Sequence, residues 1–156
     1  MKKNTAKDDK EANNSIEKYC IIQERCIFDI KIKLQEWKIP SEKIDQIIEK
    51  LINNDFINES RYAETFCRGK FNIKKWGRIK IIYELKKKNI SQENINNGIK
   101  IIDENKYKKV LESLYIRKIK SIKIKDKFTK KVKISKFLQQ KGFETNMIWE
   151  LINNDN

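Results

Sequence analysis

One apolar pattern occurs three times along this chain, and it limits the possible folds more than any single motif does. With Leu34, Leu85 and Leu138 as a common origin, Ile30, Ile81 and Ile134 stand four residues before it. Ile39, Ile90 and Phe143 follow five residues after, and Ile44, Ile95 and Ile148 ten after. Ile47, Gly98 and Leu151 share an offset of thirteen, and Ile48, Ile99 and Ile152 one of fourteen. The origins lie 51 and 53 residues apart, so three units of roughly fifty residues fill nearly the whole chain.

The spacing identifies each unit as helical. Ile44, Ile47, Ile48 and Leu51 fall at i, i+3, i+4 and i+7, which places them on one face of a helix. Ile95, Ile99 and Ile102 repeat that face, and Ile148, Leu151 and Ile152 begin it again. A short polar break precedes each stripe: Ile39-Pro40-Ser41, Asn89-Ile90-Ser91 and Lys141-Gly142-Phe143. Ser41 can cap the helix that follows, and Gly142 suits the left-handed turn that ends one. A further helix opens each unit, over about 15–25, 59–72 and 104–120, with Asn58 and Asp103 as N-caps of the latter two. The brief alternation over 119–127 reads as a helix end and a loop, because no partner strand is evident. The expectation is an all-α chain of nine helices in three tandem three-helix, helix-turn-helix-like repeats. Their bounds are 15–57, 58–102 and 103–156, after a polar disordered tail over 1–14. Each unit is too small to hold a secure core alone, so neighbours stack, and an elongated, curved body follows.

Charge is distributed unevenly. The chain carries 36 Lys plus Arg against 22 Asp plus Glu, a formal +14, which favours a polyanionic partner. Its wealth of Lys, Asn and Ile also resembles A/T-rich codon usage, so location matters more than the total. Residues 66–88 carry a net +8 and 106–141 a net +12, while everything else sums to −6. Uniform compositional drift would not leave the remainder acidic. The first cluster holds Arg68, Lys70, Lys74, Lys75 and Arg78 around an exposed-looking Trp76-Gly77 dipeptide. It spans a turn between helices, so backbone N–H groups at the start of the next helix can add to an anion site. Trp76 either stacks on a base or packs beneath the turn. The second cluster includes Arg117, Lys118, Lys120, Lys123 and Lys125, either a solvated face or a contact for phosphates or an acidic partner. Neither cluster carries a base-reading code, so nucleic-acid binding through them would be salt-sensitive and weakly sequence-specific.

The residues for most catalysis are missing. There is no histidine, hence no imidazole base or Ser-His or Cys-His pair, and only four glycines, with no phosphate-binding loop motif. Carboxylates are scattered, and no metal or other cofactor is expected. Cys20, Cys26 and Cys67 have no C-x-x-C spacing, lie in apolar stretches and read as core residues of a protein in a reducing cytoplasm. No apolar run approaches the ~20 residues that cross a bilayer, so no membrane partner is expected.

The stretch from Phe56 to Phe66, Phe-Ile-Asn-Glu-Ser-Arg-Tyr-Ala-Glu-Thr-Phe, resembles the signature that opens the central unit of RecX proteins. Downstream, Lys75-Trp76-Gly77-Arg78-Ile79-Lys80 and Glu84-Leu85-Lys86-Lys87-Lys88-Asn89-Ile90 resemble the family's basic turn and its Glu-Leu-x-x-Lys-Gly-Ile run. Asn89 stands where Gly is usual and tolerates the same left-handed turn. Phe137-Leu138-Gln139-Gln140-Lys141-Gly142-Phe143 is similar to the closing motif of the third unit. The likeness covers about residues 15–152 and is weakest in the first unit. It implies a non-enzymatic, cytoplasmic, monomeric modulator, mostly an inhibitor, of the RecA recombinase, lodged in the groove of a RecA–DNA filament. The residues that would meet DNA or RecA are those of the two basic clusters. Two other readings compete: a stand-alone nucleic-acid-binding helical protein, and an adaptor whose basic faces meet an acidic protein.

Overall fold

The structure, a computed structural model, describes residues 8–155, and among these every regular element is a helix. Unit 1 contains α1 (Asp9–Ile22), α2 (Ile27–Glu36) and α3 (Ser41–Asn53). Unit 2 contains α4 (Glu59–Asn72), α5 (Arg78–Lys87) and α6 (Gln92–Lys100), and unit 3 contains α7 (Glu104–Ser121), α8 (Lys127–Lys141) and α9 (Thr145–Asn154). The expected loop falls between α7 and α8. Helix α1 starts at Asp9, inside the stretch expected to be a tail, because the Asp8 carboxylate accepts the Glu11 N–H at 2.7 Å and caps it. The rest of that expected tail, residues 1–7, lies outside the described residues.

The repeat register is a structural register. Leu34, Leu85 and Leu138 are each fully buried on the second helix of their unit. Each carbonyl accepts an N–H from the residue five ahead: Ile39, Ile90 and Phe143, at 3.1, 3.2 and 3.2 Å. The residue between, Lys38, Asn89 or Gly142, takes a left-handed conformation with φ of 58°, 58° or 97°. This is one helix-ending motif built three times from three different residues. The next helix then starts two residues later, with Pro40, Ser91 and Glu144 at its N-cap. Ser41 is therefore not a cap but the first residue of α3, and Pro40 sets the entry with φ −60° and no N–H to leave unpaired. Asn58 and Asp103 do cap, accepting from the N–H groups of Arg61 and Lys106. The one break in the apolar pattern, Gly98, lies where α6 crosses α4: a Cβ would come within 3.0 Å of the Ala63 carbonyl oxygen.

The buried side chains form two clusters. One belongs to unit 1 and includes Ile16, Ile30, Leu34, Leu51 and Ile57. The other is shared by units 2 and 3, with Cys26 of unit 1 inserted into it. Units 2 and 3 are joined backbone to backbone. The Gly77 N–H donates to the Lys141 carbonyl at 2.7 Å and the Ile79 N–H to the Gly142 carbonyl at 2.9 Å. A Cβ on Gly77 would overlap the backbone of Gly142 and Phe143, and one on Gly142 would overlap Lys80. Around this contact Tyr107 lies between Phe71, on which it stacks, and Phe143, to which it is tilted, at ring distances of 5.8 and 5.1 Å. Unit 1 meets unit 2 through more polar contacts: Arg61 with Glu24 (2.5 Å) and Asp55 (3.2 Å), and Lys88 with Asp29 (2.6 Å).

All three cysteines are free and buried. Burial pushes the Cys20 and Cys26 thiols up to about 11 and Cys67 to about 12, from 9.0. A thiol whose pKa is raised by folding contributes stability that is complete below its unfolded pKa and lost as pH climbs through the folded one. Urea unfolding midpoints are therefore expected to fall between about pH 9 and pH 11. A thiol-specific chromogenic reagent at pH 8 should label the cysteines only after denaturation. Gly77→Ala is expected to cost at least ~2 kcal/mol, because the overlap is with backbone that cannot rotate away. Equilibrium urea unfolding measures it, and wild-type stability in this variant would show that the two glycines do not carry the junction.

Candidate functional site

The first basic cluster is divided by the fold. The end of α4, the turn over 73–77 and the start of α5 bring Lys70, Lys74, Lys75, Trp76 and Lys80 together. The turn opens because Lys75 is left-handed, with φ 57°, and the Trp76 N–H reaches back to the Lys70 carbonyl at 3.1 Å. This leaves Lys74 and Lys75 exposed and without an ion pair among the described residues. Trp76 is half-buried, edge-on to Phe66 at 6.4 Å, with the Lys70 and Lys80 ammonium groups 4.8 and 4.4 Å from its ring centroid. Of the two roles expected for Trp76, packing beneath the turn is the one observed. The half-buried ring holds two cations close to it. Lys80 was not singled out in the sequence, although its spacing of four from Trp76 is a helical neighbour distance.

Arg78 and the helix start beside it do other work. Its guanidinium bonds Glu144 at 2.7 Å and Glu104 at 2.9 Å, and lies 3.9 Å over the Tyr107 ring. Burial opposes its charge, but the hydrogen bonds and charges of Glu104 and Glu144 outweigh that and hold its pKa above the ordinary arginine value. The Tyr107 hydroxyl donates to Glu144 at 2.6 Å and accepts the Arg78 N–H at 3.0 Å. Burial first, then the bond to Glu144, raises the Tyr107 pKa, so the ring stays neutral and the network intact. The backbone donors expected to form an anion site at the start of α5 are thus consumed: Gly77, Arg78 and Ile79 bond Lys141, Tyr107 and Gly142. The Trp76-Gly77 dipeptide is likewise not exposed, since Gly77 is buried in the junction.

Arg68 projects from another flank of α4, where it shares a crevice with Lys106 and Asp103. In the second cluster Arg117, Lys118 and Lys120 occupy the last turns of α7, and Lys123 and Lys125 lie exposed in the loop that follows. Lys118 covers the Phe137 ring at 4.6 Å, and Arg117 and Lys120 share a shallow face with Lys109, Glu112 and Ile116. Cations there also suit the carbonyl end of the helix. Among the described residues no group of His, Cys, Asp and Glu could hold a metal ion, and no helix is long and apolar enough to cross a membrane.

One short motif escaped the sequence reading. Asn58-Glu59-Ser60-Arg61-Tyr62 and Asp103-Glu104-Asn105-Lys106-Tyr107 are the same helix start used twice. In both, the cap sets the helix and the tyrosine turns toward the preceding unit: Tyr62 lies against Cys26 and Tyr107 against Arg78. Arg61, with its two acidic partners, belongs to this junction chemistry.

Comparison with known proteins agrees with this architecture. Residues 58–99 match the family model of RecX, second three-helix domain, and 107–152 that of RecX, third three-helix domain. "Regulatory protein RecX" of Clostridium acetobutylicum is 30% identical over 128 residues, covering 80% of this chain and 59% of that protein. Its namesake in Clostridium tetani is 30% identical over 129 residues, covering 81% and 56%. The chain therefore spans under two thirds of the length of these relatives. The crystal structure of RecX from Lactobacillus salivarius superposes with a TM-score of 0.80 at 26% identity, over 93% of this chain and 94% of that one. A second crystal structure of a regulatory protein RecX gives 0.83 at 23% identity and speaks for the fold alone. With two of its three units matched in order and more than nine-tenths of the chain superposable on a RecX structure, this chain belongs to the RecX family.

Proposed function

We propose that this chain is a cytoplasmic regulator that binds RecA filaments on DNA and modulates, mostly inhibits, RecA in recombination and repair. Membership of a family of regulatory proteins supports the reading, and the α4–α5 turn is the observation that carries it. There Lys74 and Lys75 project with no partner among the described residues, and Lys70 and Lys80 are positioned by Trp76. Four ammonium groups around one ordered turn can meet phosphates without reading bases. Lys123 and Lys125, on the loop after α7, extend the same chemistry in unit 3. The chain acts as a monomer in this reading and supplies charge and shape, with no catalytic step of its own.

The alternative, a stand-alone nucleic-acid-binding protein, rests on the same lysines and differs in its partner. Titration of the chain into the DNA-dependent ATPase of its cognate RecA separates the two. Suppression at or below equimolar amounts is expected under the proposal. Lys74→Glu, Lys75→Glu, Lys123→Glu and Lys125→Glu together should weaken it by on the order of tenfold or more and flatten its salt dependence. An unaffected ATPase at low salt, beside tight salt-sensitive binding to bare DNA, would sink the RecA reading and leave the alternative standing.

A further inference from the structure

A groove of about 510 Å³ lies between the end of α1 and the flank of α4, on the unit 1–unit 2 boundary. Its floor includes Gly69, in the last turn of α4. Glycine is among the weakest helix formers, and nothing internal requires it here. Its φ is not left-handed, and a Cβ would meet nothing within 4 Å. This contrasts with Gly77, Gly98 and Gly142, where a Cβ would collide with neighbouring atoms. The effect of glycine at position 69 is to keep the groove open.

The walls have two characters. Ile73 is 78% exposed at the rim, an aliphatic side chain in water beside the half-buried Phe66. Around it stand Arg25, Lys70 and Lys74, none with an ion pair among the described residues. The two acids of the groove, Glu24 and Asp29, are already bonded to Arg61 and Lys88. The net field inside is therefore positive over an apolar floor. The aromatic rings carry cations: the Arg25 guanidinium sits 3.7 Å over Tyr19 and the Lys70 ammonium 5.4 Å from the Phe66 centroid. Rings covered in this way are poor platforms for bases, while aliphatic contact beside free cations suits a peptide.

We propose that this groove docks an acidic peptide segment with an apolar anchor. The anchor lies over Gly69 against Ile73 and Phe66, and flanking carboxylates meet Arg25, Lys70 and Lys74. The groove shares Lys70 and Lys74 with the lysines proposed above to meet phosphates, so what separates the two readings is the apolar anchor over Gly69, which a phosphate contact does not use.

The test uses the full chain and a short fluorescein-labelled peptide of aspartates and glutamates around a central Leu-Phe pair. Two controls accompany it: the same peptide with serines at the centre, and a thymidine oligonucleotide of equal length. Anisotropy at low salt should show binding of the Leu-Phe peptide, weakened by on the order of tenfold in the serine version. Gly69→Leu fills the groove and should weaken the Leu-Phe peptide by a similar factor and leave oligonucleotide binding unchanged. Its melting temperature should be equal to or above that of the wild type, because leucine is the stronger helix former. Lys70→Glu with Lys74→Glu should abolish peptide binding. Equal affinity for both peptides would reduce the interaction to bulk charge and overturn the proposal. Unchanged peptide binding in Gly69→Leu overturns it as well, and loss of only the oligonucleotide in that variant would make the groove a nucleic-acid site instead.

Discussion

The contact of Gly77 with Gly142 decides what the rest of the molecule can present. Two backbones approach so closely there that neither residue can carry a side chain. The approach turns the start of α5 inward, where its N–H groups bond the Lys141 and Gly142 carbonyls and the Tyr107 hydroxyl. A helix start is ordinarily the most anion-receptive piece of backbone on a basic protein. Here it is used to fasten one unit to the next. Arg78 follows it inward, and Glu144 and Glu104 keep its charge satisfied. The outward charge of the region is therefore left to the lysines on either side, and above all to Lys74 and Lys75.

The two junctions are built on one plan with different materials. In each, a helix start of the form cap-Glu-x-basic-Tyr brings a tyrosine against the start of the preceding unit's second helix. Between units 2 and 3 the result is a continuous aromatic core with Phe71, Tyr107 and Phe143 in a row. Between units 1 and 2 the apolar share is smaller, and Arg61, Glu24, Lys88 and Asp29 take over. The difference shows in the cores: units 2 and 3 share one cluster, while unit 1 keeps its own and lends Cys26 to its neighbour.

Much of the fold was legible because it is local. Leu34, Leu85 and Leu138, the residues five beyond them and the caps at Asn58 and Asp103 all act within one or two helical turns. Local chemistry of that kind leaves a periodic trace in sequence. Gly142 and Asn89 announced their left-handed turns, whereas Lys38 did not, since lysine carries no preference for that conformation. The site was less legible because its geometry depends on distant partners. Nothing near Arg78 in sequence names Glu144, sixty-six residues on, as the group that removes it from the surface. The paired Asn58 and Asp103 motifs were within reach of a local reading. They fall out of phase with the apolar register because α7 has 18 residues to α4's 14, and α8 runs four residues further before Leu138 than α5 does before Leu85.

Arginine is scarce in this chain, five residues against thirty-one lysines, and three of the five have tasks unlike those of the exposed lysines. Arg61 joins Glu24 and Asp55, Arg78 joins Glu104 and Glu144, and Arg25 lies flat on Tyr19 while its Nε donates to the Tyr19 carbonyl. Each use depends on a planar fork that reaches two acceptors or stacks on a ring, and an ammonium group reproduces neither geometry. Lys74, Lys75, Lys123 and Lys125 instead end in hydrated point charges at the surface, where a long flexible stem is an advantage. The formal charge of the chain therefore overstates how many of its cations are alike. Arg61, Arg78 and Arg25 make contacts at the protein's own junctions and rings, and its outward positive charge is carried mainly by the lysines that the fold leaves facing water, together with the exposed Arg68 and Arg117.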